Sequence, residues 1–284
     1  MIYVRVNSGF GNQLFQYACA YSLAKKNHTG VVIEKSSYGQ NGNPKFELDR
    51  LNIRTIKDVN PVRKQDLLSR VIFNKIRLRK KIGFFTKIIK ESNGATNYDD
   101  SIMKNGDGIC LLGYFQSEKY FKVYREDIIQ MYQPNFRLST FSMRWKKEII
   151  ACNSVAIHVR RGDYVRIGCT LDMDYYDNAI NMINSISNNV HFFIFSDDIN
   201  FVKKYFSKFN LLKISFVEID KSEGNKDLNE FYLMSCCRHQ IIANSTFSWW
   251  AAWLNENCGK IVIAPRVGIW KGDYYPTEWI QIKA

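Results

Sequence analysis

The second half of the chain alternates short apolar runs with helical patterns, and this alternation most limits what it can fold into. Five runs, each with the polar residues that end it, indicate strands at residues 154–160, 190–198, 213–219, 239–247 and 260–266. Strands that alternate with helices form parallel sheets with right-handed crossovers. We therefore predict a doubly wound α/β domain in this half.

The first half opens on the same pattern. A strand at residues 2–6 runs into a glycine turn and a helix, and a second strand follows at residues 30–35. The 284 residues suit two domains better than one. We predict two Rossmann-like domains facing a central cleft, at residues 1–140 and 141–284, with a linker near residues 132–150.

Polar residues cluster where the predicted strands end. Residues 9–13, 158–163, 196–198 and 244–248 each follow a strand. Since the carboxyl ends of parallel strands meet at one edge of a sheet, doubly wound folds bind their ligands there. The sequence therefore predicts a ligand site built from these loops.

Two adjacent arginines stand in the stretch "IHVRRGDYV". Guanidinium groups bind phosphate through paired hydrogen bonds and stay charged at any working pH. Arg160 and Arg161 therefore indicate an anionic ligand, and the diphosphate of a sugar nucleotide fits, because preplaced arginines stabilise the charge that develops as the sugar leaves. The alternative is an ion pair in which Asp163 holds one arginine.

A polar loop enters a predicted helix in "ANSTFSWW". Free backbone N–H groups and hydroxyl groups at a helix start can bind phosphate, so Ser245 and Thr246 are candidates for a second contact with the same diphosphate. Simple helix capping is the alternative.

Two acidic residues, Asp197 and Asp198, end a strand and could hold Mg²⁺ or Mn²⁺. Adjacent side chains tend to point apart, however, and the arginines already supply positive charge. We predict no metal here, and we expect a carboxylate that accepts hydrogen bonds from guanine or ribose. Asp172 and Asp174 also form a DxD pattern, which we interpret as capping of the following helix.

The turn "GFGNQ" resembles a dinucleotide-binding glycine turn only loosely, because the third glycine is absent. Asn12 and Gln13 at the start of the helix could instead hydrogen-bond sugar hydroxyls.

The chain is basic, with a formal net charge of +13, and residues 57–90 hold eleven Lys and Arg against two Asp, a net charge of +9. Apolar residues recur in this stretch near helical spacing. It could contact an anionic inner membrane surface or a phosphate-bearing acceptor, or form an ordinary solvated face. We expect no nucleic-acid partner, because neither a known module nor base-stacking aromatic spacing occurs.

Nothing in the sequence indicates export or membrane insertion. No run reaches the roughly 18 uncharged apolar residues of a membrane span, and the chain opens on a strand pattern rather than a signal peptide. Seven scattered cysteines form no CxxC pair, which suits free thiols in a reducing compartment. We expect a cytoplasmic protein, with peripheral contact at the inner membrane if residues 57–90 bind lipid.

Five motifs resemble those of one known family. In chain order they are "GFGNQLFQYA", "GYFQSEKYF", "HVRRGDYV", "FSDD" and "ANSTFSWWAAWL". Their order and spacing over nearly the whole chain resemble the bacterial α-1,2-fucosyltransferases of glycosyltransferase family 11. The resemblance implies a GT-B-type fold, GDP-β-L-fucose as donor, a galactoside 2-hydroxyl as acceptor and inversion at the anomeric carbon. It also implies no metal or other cofactor, and a role in surface polysaccharide or O-antigen synthesis.

The resemblance also implies roles for single residues. Arg160 and Arg161 would contact the GDP diphosphate. The other donor contacts would be Ser245, Thr246 and Phe247 beside the diphosphate, His158 and Asp197 near the guanosine, and Asn12 near the fucose. Gln13, beside Asn12, stays a candidate for donor binding from its position in the turn.

Catalysis and acceptor binding are assigned less completely. The resemblance implies direct displacement, in which the acceptor hydroxyl attacks fucose C1 through an oxocarbenium-like state as GDP leaves. Asp163 or His158 is a candidate general base if one is needed. The acceptor-side candidates are Tyr114, Phe115, Gln116 and Glu118, and a purely structural loop is the alternative. Two other functions stay open: another sugar-nucleotide transferase, and a non-catalytic nucleotide-sugar-binding protein.

Overall fold

The computed structural model describes residues 1–35, 38, 45–53, 57–59, 85–92, 96–219, 225–268, 270 and 272–284. Most of the basic stretch at residues 57–90 lies outside these residues, so its helix and its contact with membrane or acceptor stay predictions. The two described ends of this stretch are the strands Lys57–Val59 and Lys87–Lys90.

The described residues form strands and helices that largely alternate. The strands are β1 Ile2–Arg5, β2 Val31–Glu34, β3 Lys57–Val59, β4 Lys87–Lys90, β5 Ile109–Leu112, β6 Asn153–Val159, β7 Val190–Ser196, β8 Lys213–Phe216, β9 His239–Ile241, β10 Val262–Arg266 and β11 Ile280–Lys283. The helices are α1 Phe10–Lys26, α2 Asp100–Met103, α3 Arg125–Met131, α4 Thr140–Ile150, α5 Gly162–Arg166, α6 Met173–Ile186, α7 Ile199–Phe206, α8 Lys226–Cys236 and α9 Thr246–Leu254.

The chain divides into two compact units, each with a late segment. The first unit is Met1–Gln133 with Lys271–Pro276, and the second is Pro134–Trp270 with Thr277–Ala284. The sequence prediction placed the domain boundary at residue 140, and it did not assign any late segment to the first domain. In the first unit, the Asp273 carboxylate pairs with Lys119 and accepts the backbone N–H of Tyr98 at 3.0 Å. Such contacts join residues far apart in sequence, so no local pattern indicates them.

The first unit is built on a parallel sheet of five described strands in the order β3-β2-β1-β5-β4. Helix α1 connects β1 to β2 and is buried along most of its length. The Tyr132 hydroxyl donates to the Leu14 carbonyl at 2.6 Å, which ties the end of α3 to α1.

The second unit holds a parallel sheet in the order β11-β10-β9-β6-β7-β8. Read from β8, chain order becomes 3-2-1-4-5-6, the order of a doubly wound nucleotide-binding fold. The predicted parallel α/β architecture is therefore confirmed. The sequence prediction ended this sheet at β10 and was wrong, because β11 adds an edge strand. Three of its four residues are exposed, so it carries little apolar signal.

The core of the second unit lies between the sheet and its helices. Val155, Ile157 and Ile194 on the central strands are fully buried, and they pack with the inner face of α6. Trp249 and Trp250 on α9 are also fully buried. The tryptophans after the polar loop therefore act as core residues.

Two general features concern the membrane and the cysteines. In the described part of the chain, no helix is both long enough and apolar enough to cross a bilayer. All seven cysteines are free thiols.

A buried tyrosine offers a test of how the second sheet is fastened. The Tyr175 hydroxyl donates to the carbonyls of Ile242 at 2.7 Å and Ile263 at 3.1 Å, and Tyr175 is 1% exposed. Tyr175→Phe should lower the free energy of unfolding by about 1–2 kcal/mol, because buried carbonyls lose a donor. The measurement is denaturant unfolding followed by tryptophan fluorescence, since all six tryptophans belong to the second unit. Tyr205→Phe removes a partly exposed hydroxyl contact with Asp177 and should cost less than about 0.5 kcal/mol; equal losses would contradict the argument.

Candidate active site

The carboxyl ends of β6 and β9 form the topological switch point of the second sheet. From these two neighbouring strands the sheet extends in opposite directions, through β7 to β8 and through β10 to β11. The loops that leave them therefore diverge and open a crevice, which is where such sheets bind ligands. Residues 160–163 follow β6 and residues 242–245 follow β9. The structure thus brings the arginine loop and the serine loop to one edge.

Arg160 carries two carboxylate partners. Its guanidinium lies 2.7 Å from Asp163 and 2.9 Å from Asp197, and its carbon lies 5.5 Å from the ring centroid of Tyr164. The ion pair weighed for Asp163 in the sequence is therefore present. It is open to solvent, since the Arg160 side chain is 35% exposed and that of Asp163 is 47% exposed.

Arg161 is held in a fixed orientation. Its Nε lies 3.1 Å from Asp198, and its guanidinium carbon lies 3.4 Å from the ring centroid of Phe201. Asp198 also caps α7 by accepting the backbone N–H of Phe201 at 3.2 Å. The planar guanidinium is thus stacked on one residue and paired with another, a geometry that an ammonium group cannot reproduce.

Asp197 fastens the arginine loop. One carboxylate oxygen accepts the backbone N–H of Arg161 at 2.8 Å, and the other is the partner of Arg160. A Cβ on Gly162 would lie 2.6 Å from that second oxygen, so any other residue there would displace the carboxylate from its contact with Arg160. Both oxygens of Asp197 are thus engaged with the arginine loop. Its predicted contact with guanosine stays a prediction.

His158 is a buried residue with an unsatisfied nitrogen. It is 6% exposed at the end of β6, and its Nδ1 is buried without a hydrogen-bond partner. Its ring lies 5.8 Å from that of Phe247. Burial lowers the pKa of His158 to about 4, and the charge of Arg160 acts in the same direction. The imidazole is therefore neutral near pH 7, and its free nitrogen can take a hydrogen bond from a ligand.

The serine loop has a clear structural role. The Ser245 hydroxyl caps α9 by accepting the backbone N–H of Phe247 at 3.3 Å, so the capping alternative is confirmed. Thr246 begins the helix and is partly exposed, whereas Phe247 packs against Phe231 with ring centroids 5.3 Å apart. Phosphate contact by these residues stays a prediction.

Tyr164 and Asn244 join the two loops, and the sequence analysis missed both roles. The Tyr164 hydroxyl donates to the Asn244 carbonyl at 3.1 Å, and the Asn244 amide donates to the Cys169 carbonyl at 2.7 Å. The Asn244 side-chain oxygen is buried without a partner. Both residues lie inside motifs that the sequence analysis quoted, but their contacts cross between strands and have no local signature.

Glu230 is a third residue that the sequence analysis missed. It lies in α8, and Lys226 is its partner at 3.5 Å. Burial raises the pKa of Glu230 to about 7, Lys226 opposes this, and the negative charges of Asp227 and Asp197 add to it. A buried carboxyl group that titrates near neutral pH is a common feature of functional sites. The one feature of the sequence that could have indicated this site is an acidic residue in the first turns of a helix that follows a strand.

The acidic motifs show no cation site. Within the described residues, no group of three or more His, Cys, Asp or Glu side chains could hold a metal ion. Asp172 caps α6 through the backbone N–H of Asp174 at 3.4 Å, as predicted. The prediction that no metal is needed stays a prediction.

In the first sheet, the loops that leave the neighbouring strands β1 and β5 meet at one edge, which we call the β1–β5 edge. The Asn12 side-chain oxygen accepts the Gln116 amide at 2.8 Å, and the Ser8 and Tyr114 hydroxyls lie 3.1 Å apart. Two predicted site loops, after β1 and after β5, are therefore interlocked. Tyr114 is 38% exposed, so it can meet a ligand from this edge.

Four predicted contact residues of the first unit have little or no free surface, and Gln116, at 9% exposed, is one of them. The Gln13 amide donates to two carbonyls and accepts the backbone N–H of Glu47 at 3.0 Å, and Gln13 and Phe115 are fully buried. The Glu118 side chain is 13% exposed and lies 3.9 Å from Lys122. Their assigned ligand contacts stay predictions, and the observed contacts of Gln13 give it a role in holding the loop.

Comparison with known proteins places these motifs in one family. The model of glycosyl transferase family 11 matches residues 1–283. The chain is 29% identical to the O-antigen biosynthesis glycosyltransferase WbnK of Escherichia coli, over 99% of this chain and 100% of that protein. It is 31% identical to an alpha-1,2-colitosyltransferase of Escherichia coli, over 100% of this chain and 99% of that protein.

A solved structure shares the fold at low identity. The NodZ alpha-1,6-fucosyltransferase soaked with GDP-fucose matches with a TM-score of 0.54 and 15% identity, over 89% of this chain and 92% of that one. The fold is thus GT-B-like, with two parallel α/β sheets, as the motifs implied. The match of the family model along the chain shows that this protein is a glycosyltransferase that belongs to glycosyl transferase family 11.

Proposed function

We propose that this protein transfers L-fucose from GDP-β-L-fucose to the 2-hydroxyl of a galactoside, with inversion, in the synthesis of a surface glycan such as O-antigen. One observation carries the donor half of the proposal. Two guanidinium groups and a neutral histidine with a free, buried nitrogen lie at the switch point of the second sheet. That combination suits a nucleotide diphosphate, whose phosphates need fixed positive charge and whose base needs hydrogen bonds.

The arginines supply the catalytic electrostatics in this proposal. As the bond from fucose C1 to the diphosphate oxygen breaks, negative charge develops on the leaving GDP. Guanidinium groups that are already oriented stabilise this charge more than they stabilise the bound donor, which lowers the barrier. Arg161 is well suited, because Phe201 and Asp198 hold its side chain in place before a donor arrives.

Donor binding would exchange one ion pair for another. Asp197 and Asp198 each accept a backbone N–H, whereas Asp163 accepts none in the described structure and is the most exposed of the three side chains. Asp163 is therefore the partner that a diphosphate would displace from Arg160. After displacement, the same carboxylate is free to accept the proton of the acceptor hydroxyl.

His158 is the weaker candidate for the general base. A group with a pKa of about 4 binds a proton poorly near pH 7, so it takes one from a hydroxyl inefficiently. Its neutral ring is better suited to hydrogen-bonding the nucleobase or the sugar. The acceptor is proposed to bind the first unit through Tyr114 and Gln116, and no metal or other cofactor is proposed. Cytoplasmic location and membrane contact through residues 57–90 stay predictions.

A second donor has specific support. The relative at 31% identity over the whole chain is a colitosyltransferase, and colitose is the 3-deoxy form of L-fucose. The same diphosphate site would serve both donors, so the arginine chemistry does not separate them. A direct comparison of the two nucleotide sugars decides which is used.

The decisive experiment is transfer from each GDP-sugar to an array of β-galactosides, with the product linkage read by NMR. We expect an α-1,2-linked fucoside, and competition by GDP but not by UDP.

Arg161→Lys should fold normally and lower kcat by about 100-fold or more, because the stacked guanidinium fork is lost. Arg144→Lys, an exposed pair with Glu148 on α4, is the matched control and should keep wild-type rates. An equal rate in Arg161→Lys, or GDP binding without transfer, would contradict the proposal.

Asp163→Asn tests the exchange of ion pairs. Removing the competing carboxylate should tighten GDP binding by about twofold to fivefold, since exposed ion pairs are worth about 1 kcal/mol or less. If Asp163 also accepts the acceptor proton, kcat should fall by about 100-fold in the same variant. Isothermal titration and steady-state kinetics measure the two effects. Glu148→Gln removes the same charge elsewhere in the second unit, and equal tightening there would show a nonspecific charge effect.

The pKa of His158 predicts a pH dependence of stability. Because the folded-state pKa of about 4 lies below the ordinary value near 6.5, the unfolded chain binds the proton first as pH falls. The stabilisation is complete above pH 6.5 and is lost between about pH 6.5 and 4, to a total of about 3 kcal/mol. His158→Gln should lack this loss when tryptophan-monitored unfolding is compared at pH 7 and pH 4. Parallel losses in the two proteins would show that His158 does not titrate in this window.

A further inference from the structure

The turn after β5 is fastened by a carboxylate from the neighbouring strand. Glu91 directly follows β4, which pairs with β5 so that Lys90 lies opposite Leu112. The two Glu91 oxygens accept the backbone N–H groups of Tyr114 at 2.7 Å and Phe115 at 2.8 Å. Charge-assisted hydrogen bonds of this kind are stronger than neutral ones. One side chain therefore sets the path of two successive peptide units.

The turn has a sequence requirement that matches this contact. A Cβ on Gly113 would lie 2.5 Å from the Cβ of Glu91 and 2.8 Å from its Oε2. Any other residue at position 113 would push the carboxylate away from the turn. The glycine is thus needed for the approach of Glu91.

The turn also holds an unfavourable backbone conformation. Phe115 is fully buried and has a φ of 54°, in the left-handed region that residues with a side chain seldom adopt. Such strain persists only where surrounding contacts compensate for it, and it clusters at functional sites. Here Glu91 supplies the compensating hydrogen bonds, and the T-shaped contact of Phe115 with Tyr120 supplies the packing.

The fastened turn places the polar side chains of the β1–β5 edge. Tyr114 reaches the Ser8 hydroxyl at 3.1 Å, and Gln116 reaches Asn12 at 2.8 Å. The Gln16 amide donates to the Gly113 carbonyl at 3.0 Å from the opposite side. A shift of the turn would therefore move Tyr114 and Gln116, two of the four predicted acceptor-side residues, together.

Glu91 has no other evident task among the described residues. No lysine or arginine of the described chain is paired with it, and burial raises its pKa although the two N–H groups oppose that rise. Both of its oxygens point to backbone donors, so neither is presented to a substrate. A direct catalytic role does not fit this geometry.

We propose that Glu91 is a positioning residue for acceptor recognition, which acts by fixing the turn that carries Tyr114 and Gln116. This inference rests on the proposed function, because it takes the β1–β5 edge as the acceptor site. The carboxylate holds the two side chains in the arrangement that binds the acceptor hydroxyls, and it does not contact the donor.

The test uses the full-length protein with Glu91→Gln. The amide keeps the shape of the side chain but can accept only one of the two N–H groups. We expect the KM for the galactoside to rise by about tenfold or more, with the affinity for GDP within about twofold of wild type. Hydrogen exchange of the Tyr114 and Phe115 amides should quicken by about tenfold or more, and this readout does not depend on activity.

Two further variants make the result decisive. Gly113→Ala displaces the carboxylate from the other side and should reproduce both effects. Glu34→Gln changes another buried glutamate, at the end of β2 in the same sheet, and should leave the galactoside KM and the exchange of these two amides within about twofold. Glu91→Gln and Gly113→Ala with wild-type KM and wild-type exchange would overturn the proposal. An equal loss of GDP affinity in both variants would also overturn it, because it would indicate a general structural role.

The failure of the proposed function would look different. If the wild-type protein transfers no sugar to any galactoside, the proposed function fails and the acceptor role of Glu91 fails with it. Faster amide exchange in Glu91→Gln would still show that the carboxylate fastens the turn. Active wild-type protein with unaffected variants would instead reject the Glu91 proposal alone.

Discussion

The carboxylate of Asp197 is the contact on which the candidate active site depends. Because Val159 lies opposite Ser196 in the β6–β7 pairing, Asp197 emerges directly beside the arginine loop. Its two oxygens then hold the backbone N–H of Arg161 and the guanidinium of Arg160, over a glycine that leaves room for them. Sheet register, rather than the loop itself, thus fixes where the two positive charges stand.

The first sheet repeats this arrangement with different residues. Glu91 follows the strand beside β5, accepts two backbone N–H groups of the next loop, and leaves no space for a Cβ on Gly113. Asp197 and Gly162 have the same relation in the second sheet. In both units, an acidic residue at a strand end accepts backbone N–H groups of the loop that follows the neighbouring strand. A glycine in that loop leaves room for the carboxylate. Since the N–H groups would otherwise lack strong acceptors, the carboxylate determines which conformation the loop keeps.

The sequence predicts those parts of the fold that depend on local pattern. Alternating strands and helices indicate the second sheet, and polar residues at strand ends indicate the edge where Arg160 and Ser245 lie. The strand β11 is missed because most of it is exposed, and the late segment of the first unit is missed because its contacts are distant in sequence. Glu91 and Glu230 are missed for a related reason: their roles come from neighbours across the sheet or on another helix, and nothing beside them in the chain marks them. Conversely, Gln13 has a suggestive position in a motif, yet its amide is used by backbone groups.

Arg160 and Arg161 are paired with carboxylates in the structure, and an anionic ligand would have to compete with these carboxylates. The two guanidinium groups are paired with three carboxylates, those of Asp163, Asp197 and Asp198. The carboxyl group of Glu230 interacts electrostatically with Asp197. Unpaired guanidinium groups at a partly buried edge would lose hydration without compensation, so the carboxylates keep them oriented while no ligand is bound. A diphosphate added to this set would bring excess negative charge, which disfavours binding unless a carboxylate leaves or takes up a proton. Asp163 is exposed enough to leave, and Glu230, with a pKa of about 7, is placed to take up a proton as the local negative charge increases. In the proposed complex, donor binding therefore couples to the movement of one acidic side chain and the neutralisation of another.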